Sequence, residues 1–309
     1  MSRVLLFGGS GTAGQATVRA LEAVGHHVTC FLRRSVGGRS EVIGDVTHPV
    51  LDSRGARFDV VVSCLASRTG AAQDAWAIDH RAHLRILTLA EQVGAAHFIQ
   101  LSAICVQKPL LPFQDAKLAF EAALVASGMT YSIVRPTAFF KSLSGQIDRV
   151  RQGKAFLVFG DGRLTACKPI SDDDLGRYIA DCITDPARHN RILPIGGPGP
   201  AITPLDQGGM LFEALGQAPR FRHVPVALLD VIRTGLSVAG RVRPALAAKA
   251  ELARIGRYYA TESMLVLDPD TGRYDADATP ETGSETLAGF YARMIAVDEQ
   301  VHRGDHAVF

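Results

Sequence analysis

Residues 3–25 read RVLLFGGSGTAGQATVRALEAVG, and the fold follows from how this stretch divides. Arg3 to Phe7 is an apolar run of the length of a buried strand. From Thr12 onward Ala13, Ala16, Ala20, Leu21 and Val24 recur with a helical period, and Gly25 stands where a C-capping glycine belongs. Between strand and helix, Gly8, Gly11 and Gly14 fall three residues apart. A phosphate-binding turn needs small residues there. The chain must bend sharply, its backbone must approach a pyrophosphate, and the helix must lie close to the strand with its N-terminal N–H groups facing the anion. Gly8, Ser10, Gly11, Thr12, Ala13 and Gly14 are therefore the candidate pyrophosphate contacts of a dinucleotide.

Working outward, residues 27–32, 41–43, 60–65, 97–101 and 131–134 read as further strands, with 76–93 and 113–127 as helices between them. The run VVVSCL at 60–65 is apolar almost throughout, as in a strand covered on both faces. This alternation predicts right-handed βαβ units and an α/β, doubly wound parallel sheet with a smaller, largely helical substrate-binding lobe. Past Arg135-Pro136 the rhythm breaks. Glycine-punctuated segments fill 137–170, and Ser171 with the acidic residues 172–174 predicts a capped helix over 171–183. The organisation expected is an NADP-binding core at 1–136, mixed core and substrate-site segments at 137–190 and a late core strand at 191–197. A mainly helical substrate lobe at 198–275 and a C-terminal helix with a frayed tail at 276–309 follow.

Composition excludes several classes of function. With 47% hydrophobic and 21% charged residues, the 309-residue chain is of ordinary globular type, not fibrous or disordered. A formal net charge of +2 is too small for a chain that coats itself in nucleic acid. No apolar stretch is long enough to span a membrane, and MSRVLLFGGSG lacks the apolar length and cleavage site of a signal peptide. Five cysteines without a CxxC pair predict reduced thiols and a cytoplasmic setting. No His, Cys or carboxylate set has metal-ligand spacing, so no metal is expected.

The second strand ends in Phe31-Leu32-Arg33-Arg34, where an NAD site would carry an acidic residue for the ribose hydroxyls. Arg33 and Arg34 there match the 2′-phosphate of NADPH. Asp45 stands either against the adenine or in a plain turn. Cys64, Leu65, Ala66 and Ser67 leave the fourth strand on the ligand side of the sheet, toward the nicotinamide half of the cofactor. Strand five ends at Ser102, a candidate catalytic hydroxyl or a simple turn cap. Lys117 stands on the next helix, and a resemblance to the short-chain dehydrogenases, whose lysine lies there, implies that it grips the nicotinamide ribose or supplies a proton. Arg135 and Pro136 follow strand six at the sheet's carboxyl edge, also within reach of cofactor.

The chain resembles the short-chain dehydrogenases, in which a serine, a tyrosine and a lysine occupy this constellation with YxxxK on one helix face. Here Phe113 stands where the tyrosine belongs, and phenylalanine cannot donate a proton. Longer blocks carry a narrower resemblance: VVSCLASR at 61–68, LSAICVQKPLL at 101–111, YSIVRPTAFFKSL at 131–143, FGDG at 159–162, CKPI at 167–170, LPIGGPG at 193–199 and IGRYYATESML at 255–265. Together they are similar to the NADPH-dependent divinyl chlorophyllide 8-vinyl reductases of plants and phototrophic bacteria, from about residue 3 to about residue 295. The resemblance implies reduction of the 8-vinyl group of a divinyl chlorophyllide or protochlorophyllide to ethyl. Alkene reduction has no carbonyl oxygen to protonate, which accounts for Phe113. It also implies a pigment site to which Phe113, Phe139, Phe140 and Lys141 contribute, and a place in the cytoplasm, free or peripheral to photosynthetic membranes. From Arg220 to Ala260 eight basic residues face two acidic ones, eight minus two or +6, interleaved with apolar positions. That stretch suits a flat apolar ligand with carboxylates, a membrane surface, or an ordinary solvated helical exterior. Two other classes stay open on sequence grounds. One is an NADP-binding redox-sensing regulator without turnover, and the other a reductase of a different hydrophobic alkene or a quinone.

Overall fold

The computed structural model describes residues 1–51, 57–240 and 244–296. In chain order the strands are β1 Arg3–Phe7, β2 His27–Leu32, β3 Ser40–Ile43, β4 Val60–Ser63, β5 His97–Leu101, β6 Thr130–Pro136, β7 Phe156–Phe159, β8 Arg191–Ile195, β9 Phe221–Val224, β10 Val266–Leu267 and β11 Tyr274–Asp275. The helices are α1 Thr12–Ala23, α2 Ala72–Ala75, α3 His83–Gln92, α4 Pro112–Ala126, α5 Ile147–Arg151, α6 Asp172–Thr184, α7 Pro204–Ala214, α8 Val226–Gly240, α9 Pro244–Thr261 and α10 Leu287–Ala296. The chain divides into two compact units: residues 1–67, 72–136 and 172–195, and residues 68–71, 137–171 and 196–309. The stretch 137–190 is thus shared between them.

The first unit is a seven-stranded sheet in the order β3-β2-β1-β4-β5-β6-β8. Every pairing within it is parallel, Val4 opposite both Val28 and Val60, and Gln100 opposite Ser63 and Ile133. This is the doubly wound class, with the order turning outward from β1 and β4. The central strands β4 and β5 are buried at every position, which is why they carry near-continuous apolar runs. One face of the sheet packs Leu5, Phe7, Phe31, Val61, Phe98 and Ile133 against Ile86 of α3 and Phe120 and Leu124 of α4. The same face turns polar toward the strands' carboxyl ends, at Ser63 and Gln100.

The helix expected over 76–93 is not uniform. Trp76–Ala82 is a π-helix, and regular α geometry resumes only at His83. The wider turn changes which side chains face inward, with consequences for the site described below.

The second unit is built around Phe140, Ile147, Val150, Phe156, Phe212 and Tyr291. Tyr291 donates from its hydroxyl to the Leu143 carbonyl at 2.8 Å and accepts from Gln207 Nε2 at 3.1 Å, so its polar tip is satisfied inside that core. Besides its helices this unit holds the parallel pair β7 and β9 and the antiparallel pair β10 and β11, and of these strands β9, β10 and β11 fall in the stretch 198–275 expected to be mainly helical. Among the described residues no helix is long and apolar enough to cross a membrane. All five cysteines are free thiols.

Candidate active site

The turn after β1 is fixed by its glycines. Gly8 adopts φ of +82°, and a Cβ there would sit 2.7 Å from the Cys64 carbonyl carbon. At Gly14 a Cβ would meet the Gly8 carbonyl oxygen at 2.1 Å, so helix and turn approach as only glycine permits. Gly11 is the N-cap of α1 and no side chain caps that end. The helix dipole at this end of α1 favours an anion. Ser10, Gly11 and Thr12 form the exposed rim of this cradle, and Ala13 is half-buried behind it. The residues present fit a dinucleotide pyrophosphate.

Arg33 and Arg34 are both exposed just past the end of β2. Asp45, also exposed, accepts the Thr47 N–H at 2.8 Å, and its bonds to Thr47 hold its carboxyl below the usual range. It therefore forms the turn that was one of its two readings. Cys64 continues the pairing of β4 with β1, donating its N–H to the Phe7 carbonyl at 2.9 Å. Burial pushes its thiol up to about 12, which removes it from thiolate chemistry. Leu65 is half-buried and Ala66 exposed, while Ser67 turns inward and donates its N–H to Asp79 Oδ1 at 3.2 Å.

Lys117 lies on the buried side of α4, its ammonium 3.1 Å from Asp79 Oδ1. Asp79 is the residue that sequence reasoning missed. It comes from the middle of the π-helix, and Oδ2 of the same carboxylate is buried without a hydrogen-bond partner among the described residues. His83, one turn on, contacts Ser63 Oγ at 2.9 Å and the Ile78 carbonyl at 2.8 Å. Burial and the nearby Lys117 charge lower its pKa to about 4, so it stays neutral at pH 7. The missed signal was a carboxylate in the series Ala75, Asp79, Ala82, Ile86, the spacing of a buried helix face.

Ser102 and Arg135 are placed differently from their expected roles. Ser102 Oγ donates to Glu121 Oε1 at 2.5 Å, and Arg135 grips both oxygens of that carboxylate, Nε reaching Oε1 at 3.3 Å. Ser102's proton and Arg135's guanidinium are thus directed at Glu121, because a buried carboxylate on α4 requires donors. Glu121 was not anticipated, although it shares the buried face of α4 with Gln114, Lys117 and Leu124. Pro136 closes β6, and Phe113 is half-buried one turn before Lys117.

In the second unit Phe139 and Lys141 are half-buried. Phe140, expected at the pigment, is a core residue instead. It is 3% exposed with its ring 5.6 Å from Phe290, since that core needs a large apolar side chain at this point. In the basic stretch Arg257 pairs with Asp230 at 2.6 Å and Arg254 with Glu251 at 3.7 Å, while Arg220 and Arg222 are exposed. Arg241 and Arg243 lie outside the described residues. Among the described residues no three His, Cys, Asp or Glu side chains gather as metal ligands.

An uncapped helix at a glycine turn, on the strand order of a doubly wound sheet, defines a dinucleotide-binding protein, and residues 8–186 match the NAD(P)H-binding family. The chain is also similar to the solved NADPH complex of the quinone oxidoreductase QOR2 from Escherichia coli. The TM-score is 0.66 at 14% identity, covering 94% of this chain and 99% of that one, which is a likeness of fold. Divinyl chlorophyllide a 8-vinyl-reductase of Oryza sativa subsp. indica is 49% identical over 94% of this chain and 78% of its own length. The Arabidopsis thaliana reductase of that name is 45% identical over 94% and 76%. The chain belongs to the divinyl chlorophyllide a 8-vinyl-reductase family.

Proposed function

We infer that this chain reduces the 8-vinyl group of 3,8-divinyl chlorophyllide or protochlorophyllide to an ethyl group with NADPH, a step of chlorophyll or bacteriochlorophyll formation. The observation that carries this reading is the kinship with the vinyl reductases along nearly the whole chain. NADPH, when bound, supplies the hydride for one vinyl carbon and leaves as NADP, while a proton completes the other carbon.

The chain's own residues bind, orient and exclude water. The turn from Gly8 to Gly14 and the N-terminal end of α1 receive the pyrophosphate. Arg33 and Arg34 receive the 2′-phosphate, and Lys117 the nicotinamide ribose. Phe113 adds apolar cover without a hydroxyl, which suits a substrate whose reacting group has no oxygen. In the second unit, Phe139 and Lys141 belong to the pigment site. Leu228, Val231 and Ile232 of α8 are 46%, 67% and 42% exposed and follow helical spacing, an unusual amount of open apolar surface. With Arg220 and Arg222 they suit the pigment's ring and carboxylate, or contact with a photosynthetic membrane surface.

Anaerobic incubation of the purified chain with NADPH and 3,8-divinyl chlorophyllide tests this reading. The Soret band is expected to shift as the vinyl conjugation is lost, with one NADPH oxidised per pigment. NADPH that binds but is not oxidised would favour a regulator, and oxidation only by quinones or other alkenes would favour a different reductase.

A further inference from the structure

A buried carboxylate that lacks a partner for one of its oxygens costs stability, and such groups persist where something else requires them. Asp79 is in that position. Its side chain is wholly buried, Oδ1 faces the Lys117 ammonium at 3.1 Å and takes the Ser67 N–H at 3.2 Å, and Oδ2 has no partner among the described residues. The residue sits in a seven-residue π-helix, a rare geometry that is frequent at functional sites. Lys117 needs a counter-charge, since its side chain is only 8% exposed. The next carboxylate along α4, Glu121, is engaged by Ser102 and Arg135. His83 is neutral at pH 7 and supplies no negative charge. One turn before the lysine, Phe113 has no hydroxyl with which to help hold a ribose.

We propose that Asp79 is the positioning residue for Lys117. Its carboxylate holds the ammonium in place and aimed at the nicotinamide ribose, and through the Ser67 amide it ties the lysine to the loop leaving β4. The lysine and the chain along the nicotinamide half of the cofactor are then kept as one piece before NADPH arrives. This rests on the reading of Lys117 as the ribose ligand, and the experiment separates the two.

NADPH affinity and thermal melting are measured for D79N, K117M and the double variant D79N/K117M, using fluorescence titration of NADPH alone so that no turnover enters. K117M is expected to weaken NADPH binding at least fivefold, and D79N to do the same. The double variant should bind no more than twofold worse than K117M, because Asp79 acts through the lysine. It should also regain melting temperature lost in D79N, since neither charge is then buried alone, while NADPH affinity stays low. A pair with a merely structural role would recover both together. D79N binding NADPH within twofold of wild type, with K117M weakened, overturns the proposal and leaves the lysine reading standing. K117M binding like wild type overturns the lysine reading and the proposal with it. Should D79N not fold, D79E, which keeps the charge but displaces it by one methylene, is titrated in its place. Weakened NADPH binding is again expected, and unchanged binding again overturns the proposal.

Discussion

Ser102 donates its hydroxyl proton to Glu121 at 2.5 Å, so the serine at the end of β5 supports a buried carboxylate on α4. Removing the hydroxyl in S102A should cost about 1.5–3 kcal/mol of stability, the range for a hydrogen bond to a charged group. E121Q should cost more, about 3–5 kcal/mol, because both Ser102 and the half-buried Arg135 lose the carboxylate they bind. Urea denaturation of both variants measures this. Single-turnover hydride transfer by folded S102A should stay within a few-fold of wild type. A tenfold loss at unchanged stability would mean that the serine reaches the substrate.

If Arg33 and Arg34 receive the 2′-phosphate as proposed, they set the preference for NADPH over NADH. Loss of a bidentate charged contact in R33A/R34A should weaken NADPH binding by roughly 1.5–3 kcal/mol, about tenfold or more, and leave NADH nearly unaffected. Parallel titrations with the two cofactors measure it. An unchanged preference would show that these exposed arginines meet only solvent.

Lys117 and Phe113 occupy one face of α4, a turn apart. K117A should lose NADPH affinity and turnover together if the lysine positions the cofactor. A proton donor would lose turnover with binding intact. F113Y should bring no large gain, since a new hydroxyl finds no substrate oxygen. Single-turnover rates at saturating NADPH decide. More than half the wild-type rate in K117A would remove the lysine from the mechanism.

Gly14 is the tightest point of the cofactor turn. In G14A the added methyl meets the Gly8 carbonyl oxygen at 2.1 Å, and neither piece of backbone has room to withdraw. A destabilisation of about 1–3 kcal/mol is expected, the usual cost of overpacking. NADPH affinity should fall several-fold as the turn opens. Thermal melts with and without NADPH would show both effects, and a variant that melts and binds like wild type would mean the turn is looser than it looks.

Acid should destabilise the protein through two buried histidines. His83 and His97 both have pKa values lowered from 6.5 to about 4, His83 by burial and then Lys117, His97 by burial and then His189. The unfolded chain binds protons below pH 6.5 that the folded chain refuses until about pH 4. Stability is therefore full above 6.5 and falls as pH drops through that window, by about 2 kcal/mol per histidine at pH 5. Urea midpoints at pH 7 and pH 5 should record the loss, and H83Q and H97Q should each remove about half of it. Equal acid losses in wild type and variants would place the effect on the carboxylates.

The sequence by itself determined the strand, glycine turn and helix from Arg3 to Val24, the parallel sheet and the cofactor class. Each of these depends on neighbours a few residues apart. A periodicity of two or 3.6, a turn that admits only glycine, and a lysine four residues after an aromatic are local signals, legible wherever the chain finally lies. The tertiary structure alone decided which polar groups meet. Asp79 falls in sequence on the face that Ala75, Ala82 and Ile86 mark as buried, but nothing nearby shows that the group it meets there is Lys117 of α4. Ser102 just past β5, Glu121 of α4 and Arg135 of β6 pair only because the fold sets those elements side by side. Phe140 was legible as an apolar residue past β6, but whether its ring faces a ligand or Phe290 depends on packing within the second unit. Burial makes these pairings binding, since a charge or ring that water would cover in the open chain must find its partner among whatever the fold brings near.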